Sequence, residues 1–256
     1  MASSSFSSSP ALRFDRLDAL RGFALVWMAV FHFCFDLSHQ GLLHANFYED
    51  PLWTTQRTCI LSLFLLCAGA GQAVATKQGQ SWPRFWRRWA QVVACAALVS
   101  LGSWFMFPNS FIYFGVLHGM AVMLIVARLS APLKRWLWPL GAVALALPRL
   151  VQHPFFDTRA TNWLGLVTYK PITEDYVPVL PWLGVMWWGM AATQWLLARH
   201  PHCLASGAGK PGSGDNSGLT AVVRGAFALL GRWSLTFYML HQPVLIGALN
   251  AWIFLK

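Results

Sequence analysis

Seven long apolar stretches run through this sequence, and they limit the folds it can adopt more than any other feature. A helix needs about 20 apolar residues to cross the roughly 30 Å hydrocarbon layer of a bilayer. The stretches lie at 17–38, 58–77, 87–107, 111–130, 135–150, 176–198 and 233–255. We therefore predict an all-α fold, a polytopic integral membrane helical bundle with about seven transmembrane helices.

The composition agrees with a membrane protein and excludes a water-soluble globule. The chain is 56% hydrophobic and 11% charged, whereas soluble domains are about 25% charged. Its net charge of +10 fits Lys and Arg gathered on the cytoplasmic side of the spans. No basic run with interleaved aromatic residues indicates an RNA or DNA surface. We expect a lipid bilayer as the environment and no nucleic acid as a partner.

The positions of Lys and Arg predict the orientation in the membrane. They are concentrated before the first apolar stretch and after the second, fourth and sixth. The positive-inside rule then places the N-terminus in the cytoplasm and the C-terminus outside. We expect the inner (cytoplasmic) membrane of a bacterium. Residues 1–15 are predicted to be a disordered tail, 16–256 one transmembrane domain, and the Gly/Ser-rich segment 200–218 a flexible cytoplasmic linker within it.

The first apolar stretch contains four ionisable residues that a lipid-facing helix would avoid: Asp18, Arg21, His32 and Asp36. At about 100° per residue, the four fall within one stripe roughly 60° wide. A charge at the centre of a span costs about 2.5–3.5 kcal/mol on insertion scales. We therefore expect the stripe to face a polar interior of the bundle.

His32 and Asp36 are the catalytic candidates that the helical pattern favours. An imidazole can act as a general base near neutral pH. Asp36 stands one turn further along the helix and would orient and charge-balance His32. Asp18 and Arg21, spaced i,i+3 near the cytoplasmic rim, predict an ion pair. A packed, hydrogen-bonded His32 beside a helix-terminal carboxylate is the alternative that the pattern leaves open.

Two other stretches contain histidine. His118 lies at a depth similar to that of His32 and could reach it across the bundle. In the last stretch Tyr238 and His241 share a face at i,i+3, and Pro243 follows. Interhelical hydrogen bonds that hold the bundle are the alternative role for these histidines. The candidate substrate-binding residues are His118, Tyr238, His241, Gln242 and the loop residue Asp175.

The five cysteines form no C-x-x-C pair, so we predict no disulfide framework and no metal site.

These residues lie in segments that resemble a known family. The resemblance covers most of 16–249, in order and with similar spacing, and the family is the bacterial DUF1624 type of membrane protein. That type is related to the catalytic domain of heparan-α-glucosaminide N-acetyltransferase. The segments are RLDALRGFALVWMAVFHFCFDL, SLFLLCAGAGQA, FIYFGVLHGMAV, DYVPVLPWLGVMWWGM and LGRWSLTFYMLHQPVLIG.

The resemblance implies acetyl transfer from acetyl-CoA, across the membrane, to an amino sugar. Family members place a catalytic histidine in the first extracytoplasmic loop, and the alignment brings it near His44, which becomes a second candidate base. The charge and expected side of Arg21, Arg87 and Arg88 make them candidates for binding the phosphates of CoA.

Three hypotheses about function remain. The first is an acetyl-CoA-dependent membrane acyltransferase with a sugar or glycan acceptor in the envelope. The second is a proton-coupled transporter whose pathway is lined by the polar stripe. The third is a non-catalytic assembly protein in which the histidines only pack. The sequence does not determine whether the chain forms a homo-oligomer.

Overall fold

A computed structural model describes residues 14–200 and 218–255, and within these ranges the chain is helical with no β-strand. This confirms the all-α class. The predicted tail falls mostly, and the predicted linker almost wholly, outside the described residues. The helices are α1 (Asp15–His39), α2 (Pro51–Lys77), α3 (Trp82–Met106), α4 (Val116–Ser130), α5 (Leu137–Leu150), α6 (Val179–Arg199), α7 (Gly218–Arg232) and α8 (Ser234–Phe254), with short 3₁₀ turns at Ala131–Trp136, Pro154–Asp157 and Asn162–Leu164.

Each predicted apolar stretch coincides with one helix. α2 starts seven residues earlier than predicted because Asp50 caps it, accepting a hydrogen bond from the Leu52 N–H at 2.8 Å. Within the described ranges, four helical runs are long and apolar enough to cross a membrane: Asp15–His39, Pro51–Lys77, Trp82–Met106 and Val116–Leu150. The last run joins α4 to α5 through a turn at Lys134, whose φ is 46°.

Helix α7 was not predicted, because its 15 residues are too few for a span. It runs antiparallel along the first half of α1. A Cβ at Gly22 would overlap the backbone oxygen of Phe227, and one at Gly231 would overlap that of Asp18. These two glycines therefore allow the backbones of the two helices to touch. At its end Arg232 forms a salt bridge of 3.0 Å with Asp15.

Helices α2 and α6 form the most tightly packed pair. A Cβ at Gly69 would overlap the Met186 carbonyl oxygen, and a Cβ at Gly189 would overlap that of Leu66. Around this contact Leu65, Met186 and Met190 are fully buried. Small residues at such a contact let two membrane helices approach closely and gain dispersion energy.

Helices α1 to α6 alternate in direction and α8 runs parallel to α1, so the bundle has two ends. We call them the Asp15 end, where α1 begins, and the His39 end, where α1 finishes. At the Asp15 end the Lys77 ammonium donates to the Leu197 carbonyl at 2.7 Å, tying α2 to α6. At the His39 end the Glu174 N–H donates to the Ser110 carbonyl at 2.9 Å, so the long loop before α6 is fastened to the loop before α4.

Candidate functional site

The site lies between α1 and α8, where two histidine rings meet. The centroids of His32 and His241 are 5.2 Å apart, with their planes tilted by 58°. Another neighbour of His241 is Phe237, one turn earlier on α8, whose ring stacks on it at 5.9 Å and 9°. The structure therefore brings together two of the three intramembrane histidines named from the sequence.

The hydrogen bond of His241 defines its tautomer. Its Nδ1 lies 2.7 Å from the Tyr238 carbonyl oxygen, which can only accept, so Nδ1 carries the proton. The Nε2 atom then holds the basic lone pair in the neutral ring. That atom is buried and has no hydrogen-bond partner among the described residues. His241 thus presents an oriented and unoccupied base at the α1–α8 interface.

Asp36 lies one turn beyond His32, and its carboxylate contacts α8. Oδ1 accepts a hydrogen bond of 2.9 Å from the amide nitrogen of Gln242. The expectation that Asp36 orients His32 is therefore corrected: the side-chain hydrogen bond that the structure gives it comes from Gln242, because α8 packs against this face of α1. Asp36 Oδ2 and Gln242 Oε1 are buried and unpartnered within the described ranges. With His241 Nε2, three hydrogen-bond acceptors here are unfilled.

His118 does not belong to this cluster. Its Nδ1 accepts a hydrogen bond of 3.3 Å from the Gly115 N–H, so its Nε2 carries the proton and donates to the Ser100 hydroxyl at 3.1 Å. The expected contact with His32 is wrong, because the first turn of α4 directs His118 toward α3. Both ring nitrogens are satisfied, which is the packing role considered as its alternative.

Asp175 joins the loop before α6 to the start of α4. Its Oδ2 accepts a hydrogen bond of 2.7 Å from the Val116 N–H, and a Cβ at Gly115 would overlap the same oxygen. Burial raises the pKa of the Asp175 carboxyl, which the Val116 hydrogen bond opposes. The loop that carries Asp175 lies at the His39 end of the bundle, where its neighbour Glu174 is bonded to Ser110.

His44 lies apart from the histidine pair, on the surface of the loop between α1 and α2. It lines an open groove of about 590 Å³ at the His39 end. The other lining residues are Phe35, Ser38, His39, Ala45, Asn46, Phe47 and Tyr48. Aromatic faces beside imidazole and amide groups suit a ligand with both apolar faces and hydroxyls.

The three arginines predicted to bind the phosphates of CoA lie in different surroundings. Arg21 forms the predicted ion pair with Asp18 at 3.0 Å and also donates to the Cys67 carbonyl oxygen at 3.4 Å. Arg87 and Arg88 are exposed on the first turns of α3. Among the described residues the structure gives no hydrogen bond that gathers the three arginines into one site.

The sequence reasoning missed two partners of the histidines. Phe237 supports His241 by stacking, and its i,i+4 spacing was the signal that could have identified it. Ser100 holds His118 from α3, and no local pattern indicated that pairing.

The fold and the site define a helical protein with helices able to cross a membrane and a cluster of histidine, carboxylate and amide side chains between α1 and α8. The sequence model of the family described as "Heparan-alpha-glucosaminide N-acetyltransferase, catalytic" matches residues 13–243. The chain belongs to this family, which confirms the resemblance. The comparisons with curated proteins and with solved structures gave no match.

Proposed function

We propose that this protein is a transmembrane acyltransferase that moves an acetyl group from acetyl-CoA to an envelope sugar or amino sugar. The observation that carries the proposal is the unfilled, basic Nε2 of His241, buried against His32 in a chain of this family. Other buried side-chain atoms of the described residues also lack partners, but the Nε2 of His241 is the one imidazole nitrogen among them, and an imidazole can act as a general base.

The topology follows from the same proposal. Helices α1 to α6 and α8 would supply the seven spans, with the Asp15 end in the cytoplasm of a bacterium and the His39 end outside the inner membrane. Basic residues concentrate at the Asp15 end, as the positive-inside rule requires. Arg87 and Arg88, exposed at that end, could then bind the phosphates of CoA together with Arg21.

The chemistry needs a base that removes a proton from the acceptor while its nitrogen or oxygen attacks the thioester carbonyl. His241 meets the geometric requirement, since its Nδ1–H is fixed on Tyr238 and its Nε2 is open. His32 stands against the ring of His241 and would share the proton. His44 lines the open groove, where it could bind the acceptor before transfer.

The test is acetyl transfer by purified protein, using labelled acetyl-CoA with a panel of sugars and amino sugars. Loss of a general base lowers the rate by about 10²–10⁴, and we expect a loss in that range for His241→Ala. His32→Ala and His44→Ala are measured beside it. His153→Asn is the matched control, because His153 only caps a surface 3₁₀ turn through Nδ1, a role that Asn can keep. Undiminished transfer in all three histidine variants would overturn the mechanism.

A proton-coupled carrier is the second candidate, and the unfilled acceptors between α1 and α8 favour it as much as they favour an enzyme. The two differ in their need for a CoA thioester. Flux of a substrate into proteoliposomes without acetyl-CoA would support the carrier. A rise in melting temperature on adding acetyl-CoA in detergent would support the enzyme, because a ligand that binds only the folded state stabilises it.

A further inference from the structure

Asp36 is a buried carboxylate that is only half satisfied. It is 7% exposed, Oδ1 is held by Gln242, and Oδ2 has no hydrogen-bond partner within the described ranges. Burying such an oxygen without a donor is destabilising. The amide oxygen of Gln242 is likewise buried without a partner among the described residues. An acceptor without a donor leaves Oδ2 open to take up a proton.

The neighbours of Asp36 on α1 lead from the buried interior to the surface. His32 precedes it by one turn and touches His241. His39 follows it by three residues on the same face of the helix and is exposed. His39 also lines the open groove at the His39 end, together with His44. The carboxylate therefore stands between the histidine pair and solvent.

The proposed reaction leaves a proton to be removed when the acceptor is an amine. The acceptor enters as an ammonium ion and first gives one proton to the histidine pair, which frees the nitrogen lone pair. The nitrogen then forms a bond to the acetyl carbonyl carbon, and the C–S bond of acetyl-CoA breaks with its electron pair on sulfur. The nitrogen loses two protons as it becomes an amide. The thiolate takes one and leaves as CoA–SH, so one proton remains in each turnover. The buried histidine pair needs a route to discharge it.

We propose that Asp36 is a proton relay that takes this remaining proton from the His32–His241 pair and passes it to His39 and the open groove. The relay rests on the proposed acyltransferase function. Gln242 is the positioning residue: it holds Oδ1 and leaves Oδ2 free to accept the proton. The Gln242 amide cannot replace the Asp36 carboxylate as the relay, because an amide does not take up and release a proton near neutral pH.

Asp36→Asn tests the relay, since the amide oxygen of Asn can still accept the hydrogen bond from Gln242. We expect kcat for transfer to an amino sugar to fall by about tenfold or more, with KM changed little, because proton removal then limits turnover. Added formate or imidazole should restore the rate in proportion to its concentration. A purely structural role would give no such rescue. Asp50→Asn is the control. Asp50 lies at the His39 end, where it caps the N-terminus of α2, and Asn can cap a helix in the same way.

His39→Gln keeps the proposal testable if Asp36→Asn does not fold, because His39 is exposed. Its kcat should fall by a smaller factor and recover with imidazole. Unchanged kcat in both variants, or a loss that neither formate nor imidazole restores, overturns the relay while the wild-type transfer leaves the proposed function standing. If the wild type transfers acetyl to neither a sugar nor an amino sugar, the proposed function fails and the relay fails with it. Transfer to sugar hydroxyls alone overturns the relay and leaves the proposed function standing.

Discussion

Two helix interfaces of this protein contrast sharply: α2 with α6, and α1 with α8. The first is closed by Gly69 and Gly189, whose missing side chains let the backbones touch, with Leu65, Met186 and Met190 fully buried around the contact. The second contains His32, Asp36 and His241, and three of its buried polar atoms lack partners in the described part of the chain. The first interface stabilises the fold by close packing, whereas the second is less stable because it keeps buried hydrogen-bond acceptors without donors.

The strongest test of this contrast adds one methyl group at the α2–α6 contact. Gly69→Ala places a Cβ against the Met186 carbonyl oxygen, and backbone atoms cannot move aside. We expect a loss of about 3 kcal/mol in the free energy of unfolding, at the upper end for overpacked cores. Gly102→Ala is the matched control, since nothing lies within 4 Å of its Cβ position in α3. The measurement is thermal unfolding in detergent, and equal melting temperatures for the two variants would contradict the assignment.

The second test makes the α1–α8 interface apolar. The double variant Asp36→Leu/Gln242→Met removes the buried acceptors together, and replacing buried polar pairs by apolar groups is often stabilising, here by about 2 kcal/mol. Gln242→Met alone leaves the Asp36 carboxylate without its donor and should be the least stable of the set. We expect the double variant to melt highest and to transfer no acetyl group. A double variant less stable than Gln242→Met would show that the polar pair holds the bundle.

The sequence was sufficient for the class of fold but not for the contacts of the site. Apolar length placed seven helices, and the stripe on α1 located the face that meets α8, because both follow from local periodicity. The partner of Asp36 could not be foreseen, since Gln242 is over two hundred residues away and Pro243 obscured the register of α8. His118 was misplaced for the same reason: its depth was readable, while the direction of its ring depended on how α4 packs on α3.

The third test concerns Asp175, in the loop before α6. Asp175→Ala removes the acceptor for the Val116 N–H and should cost about 1 kcal/mol, as for a lost helix cap. Asp175→Asn should keep most of that stability, because an amide oxygen can accept the same bond. A larger loss in Asp175→Asn than in Asp175→Ala would contradict the capping role. Melting temperatures of both variants are compared at pH 7.

The same residue gives a pH dependence with a definite sign. Burial raises the folded-state pKa of Asp175 above its ordinary value of 3.8. Between these two pKa values the folded state binds more protons than the unfolded state, so stability falls as the pH rises through this window. Asp175→Asn should therefore flatten the decline in melting temperature above about pH 4 relative to the wild type. A decline of the same slope in both proteins would exclude Asp175 as its source.

The smallest expected effect concerns how α7 is attached to α1. The Arg232–Asp15 pair is the visible ionic contact there, but its side chains are 40% and 33% exposed, so solvent screens it. We expect Arg232→Gln to cost less than about 0.5 kcal/mol and the difference to vanish in 1 M salt. Gly22→Ala should cost more, because its Cβ meets the Phe227 backbone. This ranking would mean that the α1–α7 interface, like the α2–α6 interface, is held together by close approach of the two backbones. The opposite ranking would mean that charge anchors α7, and the contrast between the two kinds of interface would then not extend to it.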